Sequence, residues 1–316
     1  MDQRNQQRRP KVIIDCDPGH DDAVAIILAH AHAEVLGITT VSGNAPLLST
    51  TQNALSVLEL IDEDTPVHSG AAAPLKGWEK GEAIHAEGVH GVGGLGGVEL
   101  DAPSRSVASS DAVQFLLTAT RAHTDVWIVA IGPLTNVALA LQKDPTFSER
   151  IAGISIMGGS ATVGNATRVA EFNIWADPEA ADVVFRSGAR LKMCGLNLTH
   201  QLTTTDELVE QLREMNSKNS IFVAALFEFM HGRMEELIGR RRSALHDPCA
   251  VIAITHPELI VSEARAVAIE LDGTHTRGMT VVDERVTRRR DPANVEVAYS
   301  IDADRAMSLV VESVRN

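Results

Sequence analysis

The chain has 316 residues, 44% of them hydrophobic and 22% charged, which is a globular composition long enough for one large α/β domain or two small ones. Its formal net charge of −14 argues against a nucleic-acid backbone or an anionic membrane as partner, though not against a small neutral substrate. No apolar run reaches the roughly 18 residues of a membrane helix, and Cys16, Cys194 and Cys249 cannot form a disulfide framework and lack zinc spacing, so they read as buried thiols.

Residues 1–10 are polar and lack the apolar core of a signal peptide, which reads as a disordered tail on a cytoplasmic protein, with one domain over 11–316. Val12-Ile13-Ile14 is a short β-branched run suited to a buried strand. Asp15, Cys16 and Asp17 follow, then a Pro18-Gly19 turn, then Asp21-Asp22 at the start of an Ala/Val/Ile/Leu helix. Asp21 and Asp22 suit the first helical turn, where the dipole favours negative charge. By themselves they cap a helix, and Asp15 is a solvated strand end. Four acids within residues 15–22, astride a strand–turn–helix, make a site the better reading. Two unit charges about 4 Å apart repel by roughly 4 kcal/mol at an effective dielectric near 20. Such a cluster needs protons or a cation, and an all-oxygen ligand set suits Ca²⁺ or Mg²⁺ better than Zn²⁺.

Glu34 to Val41 reads as a second strand, with Ser42 to Pro46 as the loop after it. A helix follows from Leu47 to about Ile61, with Ser49 or Thr50 as its cap, and Pro66-Val67-His68 is a third strand. This alternation implies a mostly parallel sheet with crossover helices. Ligands in such sheets bind beyond the C-terminal ends of the strands, where Asp15, Asp17 and Asn44 fall. Gly70 to Gly97 is the longest irregular stretch; it holds His85, read as a surface residue, and His90. Its glycine-rich run lacks the Gly-Lys-Ser/Thr of a phosphate loop. Ser109 or Ser110 caps a helix to about Ala122, Val126 to Ile131 is a core strand, and Thr135 and Asn136 read locally as caps of the next helix.

Ile151 to Met157 is another strand. Asn165, Glu171 and Asn173 lie in irregular polar sequence before a helix capped by Asp177 with Pro178 at its first position. After a strand at Ala189 to Cys194 comes Asn197-Leu198-Thr199-His200. Two helical stretches between Asp206 and Leu237 break near Asn216–Asn219, and Ile221, Ala225, Phe229 and Met230 read as a core-packing stripe. Arg240 to Arg242 form a solvated turn, and Asp247 before Pro248 reads locally as an N-cap. Strands and a last helix from Asp302 complete the chain.

Four motifs, DCDPGHDDAVAI, AIGPLTNVA, GNATRVAEFN with DPEAA, and HDPCA, together with VHGVGGLGG, resemble in order those of the inosine/uridine-type nucleoside hydrolases. The resemblance implies a single Rossmann-like α/β domain with a mostly parallel central sheet flanked by helices. It implies Ca²⁺-dependent hydrolysis of the N-glycosidic bond of ribonucleosides to base and ribose. The implied calcium shell is Asp17, Asp22, the Ile131 backbone carbonyl and Asp247. Asp17 matches the general base and His246 the candidate acid. Asp21, Asn44, His90, Asn165, Glu171, Asn173 and Asp247 match substrate contacts. A homodimer or homotetramer is implied as well. Asp15 has no assigned role beyond orienting the loop. The base preference is not readable. A phosphohydrolase built on the DxD is a rival that the Asn/Glu/Asn loop argues against. A non-catalytic, calcium-dependent nucleoside- or ribose-binding protein is the other alternative.

Overall fold

The computed structural model describes residues 9–77, 84–98, 100–287 and 290–315. Most of the expected N-terminal tail, residues 1–8, lies outside them, as do residues 78–83 of the irregular stretch. The chain opens with β1 (Lys11–Cys16), α1 (His20–His32), β2 (Glu34–Thr40), α2 (Leu47–Leu60) and β3 (Val67–Ser69). It continues through β4 (Val126–Ala130), β5 (Gly153–Met157) and β6 (Leu191–Cys194), with helices Ala112–Ala122, Thr135–Lys143 and Pro178–Phe185 between the strands. These strands lie in the order β3-β2-β1-β4-β5-β6, followed by Val295–Ile301 and an edge strand Ile260–Arg265. All neighbouring pairs are parallel except the last. The fold is the α/β arrangement that the alternation of strand and helix patterns implies.

β1 explains why both faces of this sheet are covered. Val12, Ile14 and Cys16 pack under α1 and helix Pro248–Thr255, while Ile13 packs with Leu116, Leu134 and Phe147 on the opposite face. Ile13 and Ile14 are fully buried, each worth about 1.5–3 kcal/mol of apolar burial. The strand order reverses between β1 and β4, so the loops leaving their C-terminal ends diverge and open a crevice there.

Several local expectations change. Ser49 and Thr50 do not cap α2; Pro46 holds that position, and the Thr50 hydroxyl donates to the Val41 carbonyl at 2.9 Å. Asp111, not Ser109 or Ser110, caps helix Ala112–Ala122 by accepting from Gln114 N–H at 2.8 Å. Thr135 and Asn136 reach other elements instead of capping their own helix. The apolar stripe of helix Lys218–Ile238 is rotated from the expected one: Phe222, Val223, Leu226 and Phe227 are buried, whereas Ile221 is 49% exposed. Asp177 caps its helix as read, accepting from Ala180 N–H at 3.0 Å, and the three cysteines are buried and free.

Candidate active site at the carboxyl edge of the sheet

β1 ends at Cys16, so Asp17 stands at the sheet edge and Pro18-Gly19 turns the chain into α1. Asp22 then lies at the third helical position, where its carboxylate reaches back over the turn. Its Oδ1 accepts from the Asp17 N–H at 3.1 Å, and its Oδ2 accepts from the Gly19 N–H at 3.0 Å and from Asn44 Nδ2 at 3.1 Å. Asn44, after β2, donates its backbone N–H to Asp17 Oδ2 at 2.6 Å. Asp17 Oδ1 is buried and has no hydrogen-bond partner among the described residues. The backbone crowds this carboxylate closely. A Cβ at Gly43 would stand 2.1 Å from Asp17 Oδ2, and one at Gly132 2.5 Å from Oδ1, so only glycine fits either place.

Asp247 has helical φ/ψ and makes no capping bond, contrary to its local reading, which leaves its carboxylate to the cluster. Ligand atoms of Asp21, Asp22 and Asp247 lie within 4.8 Å of one another. Asp17 is outside that triple but interacts electrostatically with Asp22 and Asp247. Burial, then the neighbouring carboxylates, raises the Asp17 and Asp247 carboxyls well above the usual range, and burial and Asp21 push Asp22 up to about 7. Mutually repelling buried carboxylates with an unpartnered oxygen fit a hard divalent cation. The Ile131 carbonyl, one residue beyond β4, accepts from Asn173 Nδ2 at 2.9 Å and keeps a second lone pair.

Asp15 faces away from this cluster's bonds. Its Oδ1 accepts from Thr39 Oγ1 at 2.6 Å and from Asn136 Nδ2 at 2.8 Å, and burial pushes its carboxyl up to about 6. Asn136 also bonds the Thr40 carbonyl and the Ala71 N–H, so it ties β1, β2 and the segment after β3 together. Neither residue type nor local sequence signals this role.

Glu171 is buried, and its two oxygens accept from the backbone N–H of Gly159, Asn173 and Ile174 at 2.8, 2.9 and 3.2 Å. Burial pushes its carboxyl up to about 7. Asn173 is buried and also bonds the Met157 carbonyl at 3.0 Å. Asn165 is exposed, and its side-chain oxygen accepts from the Phe172 N–H at 2.9 Å. The fold therefore brings Glu171 and Asn173 to the crevice wall beside Ile131, with Asn165 on the surface of the same loop.

Histidines gather beside these acids, with His20 next to Asp21 and His246 next to Asp247 in the chain. His90 ends the short helix Glu87–His90, and its Nδ1 lies 3.3 Å from His20 Nδ1. The buried His20 ring stacks on Phe229 (centroids 4.9 Å apart, 5° between planes), and its Nε2 donates to the Gly96 carbonyl at 3.1 Å. Phe229 thus contacts the crevice wall and is not the core residue its spacing suggests. His85 is no surface bystander either: it is half-buried, with Nδ1 3.2 Å from the Gly43 carbonyl. His246 is half-buried, bonded through Nδ1 to Thr199 Oγ1 at 2.7 Å, with the His200 ring 5.8 Å away. Burial lowers His246 and His20 each to about 4 and lowers His90 as well. His20, Phe229 and Thr199 escape sequence reasoning because their partners are remote in the chain.

The family model for the inosine-uridine preferring nucleoside hydrolase matches residues 12–308. A pyrimidine-specific ribonucleoside hydrolase RihA from Photobacterium profundum is 41% identical over 310 residues, covering 96% of this chain and 98% of the relative. The plant nucleoside hydrolase PpNRh1 superposes with a TM-score of 0.90 at 35% identity, covering 97% of this chain and 99% of that one. A purine-preferring ribonucleoside hydrolase from Gardnerella vaginalis also has a TM-score of 0.90, at 32% identity, covering 96% and 98%.

Proposed function

The chain belongs to the inosine-uridine preferring nucleoside hydrolase family, and on that premise we propose that it hydrolyses the N-glycosidic bond of ribonucleosides, pyrimidine ribonucleosides foremost, with calcium in the acidic cluster. The observation that carries this reading is the convergence of Asp21, Asp22 and Asp247 at the switch point of the sheet, beside the unpartnered oxygen of Asp17. Its ligands would be Asp17, Asp22, Asp247 and the Ile131 carbonyl. Oxygen donors alone favour calcium or magnesium over zinc, and the number of donors on hand favours the larger ion. When bound, a divalent cation lowers the pKa of water beside the anomeric carbon.

The chain's own groups do the rest. Asp17, at the edge of the cluster, accepts the proton of the attacking water. Asp21 takes a ribose hydroxyl, and Asn44, Asn165, Glu171, Asn173 and Asp247 hold the sugar; amides and carboxylates match its donors and acceptors. His90 and His246 flank the leaving base. The pyrimidine preference rests on the identity with RihA, whereas the Gardnerella neighbour is purine-preferring at lower identity. A cytoplasmic homodimer or homotetramer belongs to the same reading, and sedimentation velocity tests the assembly. Among the described residues no helix is long and apolar enough to cross a membrane.

The test is ribose release from uridine, cytidine, inosine and adenosine, with EDTA, with calcium added back, and without phosphate. Calcium-restorable release, uridine and cytidine ranking first, is expected. 2′-Deoxyuridine should be turned over far more slowly, because each ribose-reading group left unpaired costs about 1–3 kcal/mol. No release from any nucleoside, with calcium bound in calorimetry, would replace this reading with a nucleoside-binding protein.

A further inference from the structure

Glu171 and Asn173 sit in a segment that a remote part of the chain clamps at both ends. Strands Val267–Ile269 and Thr280–Val282 pair antiparallel as a small sheet separate from the central one. Thr280 opens the second strand and is buried. Its Oγ1 accepts from the Ser160 N–H at 2.8 Å and donates to the Ser160 carbonyl at 2.7 Å. Ser160 lies beyond the end of β5 and is buried, so its backbone groups need partners that the strand no longer supplies. The residue before it, Gly159, donates its N–H to Glu171 Oε2 at 2.8 Å. At the other end, Gly278 (φ +81°) comes so near helix Phe172–Ala176 that a Cβ would stand 3.0 Å from the Trp175 Cα. Arg277 pairs both its terminal nitrogens with Glu179, at 3.0 Å each. Four consecutive residues, 277–280, therefore grip the chain before Glu171 and after Asn173.

We propose that Thr280 is a positioning residue for the sugar: by holding Ser160 it aims the Gly159 N–H at Glu171, and so fixes the carboxylate that receives a ribose hydroxyl. The inference deepens the hydrolase reading and rests on its assignment of Glu171 to the sugar. Thr280 acts at one remove, through Ser160 and Gly159. Glu171 Oε1 accepts from the Asn173 N–H at 2.9 Å and keeps lone-pair capacity for a hydroxyl donor. Without the Thr280 hydroxyl, two buried backbone groups of Ser160 lose their partners. They regain partners only if the segment shifts, which draws the Gly159 N–H off Glu171. The bonds that fix Asp17 and Asp22 involve none of these residues, so the acidic cluster stands apart from this brace.

The experiment uses the full chain with calcium. Thr280→Val removes the hydroxyl and keeps a branched side chain suited to a strand. KM for uridine should rise by about tenfold, the worth of one hydrogen bond to a charged group, with kcat within about threefold and calcium affinity unchanged. Thr280→Ser, which keeps the hydroxyl, should restore KM. Inhibition of uridine cleavage by 2′-, 3′- and 5′-deoxyuridine separates a brace for Glu171 from a general loosening. The analogue whose affinity Glu171→Gln changes least lacks the hydroxyl that Glu171 holds, and Thr280→Val should spare that same analogue. Equal weakening of all three analogues overturns the proposal, and so does an unchanged KM or a parallel loss of calcium. If Thr280→Val does not fold, Gly278→Ala, which strains the same brace from its other end, takes its place with the same expected pattern. If the wild type releases no ribose, the hydrolase reading falls, and calorimetric affinities for uridine and the three analogues judge the brace instead. Binding of none of them overturns the brace as well.

Discussion

The two walls of the crevice are built differently. The wall proposed for the cation and the sugar consists of carboxylates and amides fixed by backbone: Asp22 by two N–H groups, Glu171 by three, and Asp17 by Asn44 and by the close approach of Gly43 and Gly132. The wall proposed for the base consists of rings held by other rings and by loops: His20 on Phe229, His90 against His20, and His246 on Thr199. The first wall holds its charges in place before anything binds. The second offers imidazole donors and acceptors held by side-chain contacts between elements remote in the chain. Relatives named for pyrimidine and for purine preference both match this chain along nearly its whole length.

The largest expected effect breaks the first wall. Asp247→Asn removes a charge from the carboxylate triple, and kcat/KM should fall by about a thousandfold or more, roughly 4 kcal/mol of transition-state stabilisation. Calcium binding measured by calorimetry should be lost in parallel. Asp21→Asn sharpens the assignment within the triple. If Asp21 holds ribose and not the cation, calcium affinity survives and discrimination between uridine and 2′-deoxyuridine collapses. Equal loss of calcium in both variants would move Asp21 into the cation shell. Gly132→Ala tests the same wall through sterics: a Cβ 2.5 Å from Asp17 Oδ1 should weaken calcium by tenfold or more, roughly 1.4 kcal/mol, without unfolding the chain.

The acids of the strand–turn–helix were legible from local sequence, whereas Glu171, Asn173, His90 and His246 were picked out by resemblance alone and His20, Phe229 and Thr199 not at all. Asp17, Asp21 and Asp22 lie within one strand–turn–helix, so their proximity follows from local geometry alone. The sheet was equally legible, because β-branched runs such as Val12-Ile13-Ile14 alternate with helical patterns. What failed was long-range. Thr135 and Asn136 look like caps because caps are local, yet their partners are Asp177, Asp15, Thr40 and Ala71. Phe229 looks like core on helical spacing, yet it stacks on a ring some two hundred residues earlier in the chain. Nor does any pattern announce that Val295–Ile301 inserts between β6 and the edge strand.

A smaller effect sharpens the cost of the first wall. Burial pushes Glu171 up to about 7 from the ordinary 4.5, with Asp21 nearby adding to the rise. A carboxyl raised on folding contributes stability that is fully present below the unfolded value, about 4.5, and lost as pH rises through about 7. The loss is on the order of 3 kcal/mol. Urea unfolding at pH 5 and pH 8, with calcium saturating, should show the parent losing stability across that interval and Glu171→Gln losing less. Equal slopes would mean that the three backbone donors already hold Glu171 ionised.

The smallest effect belongs to the second wall and separates it most cleanly from the first. Phe229→Ala removes the ring under His20, and with it an aromatic contact worth about 0.5–1.5 kcal/mol. His90 loses its support through His20, whereas Asp17, Asp22 and Asp247 keep every bond that fixes them. The variant should therefore bind calcium as the parent does and still reject 2′-deoxyuridine. Its KM values for uridine, cytidine and inosine should shift unequally, by about 2- to 10-fold, and narrow the gap between pyrimidine and purine. A uniform fall in kcat across all bases, or a loss of calcium, would show that the two walls are coupled through α1, which carries His20 on one side of its first turn and Asp22 on the other.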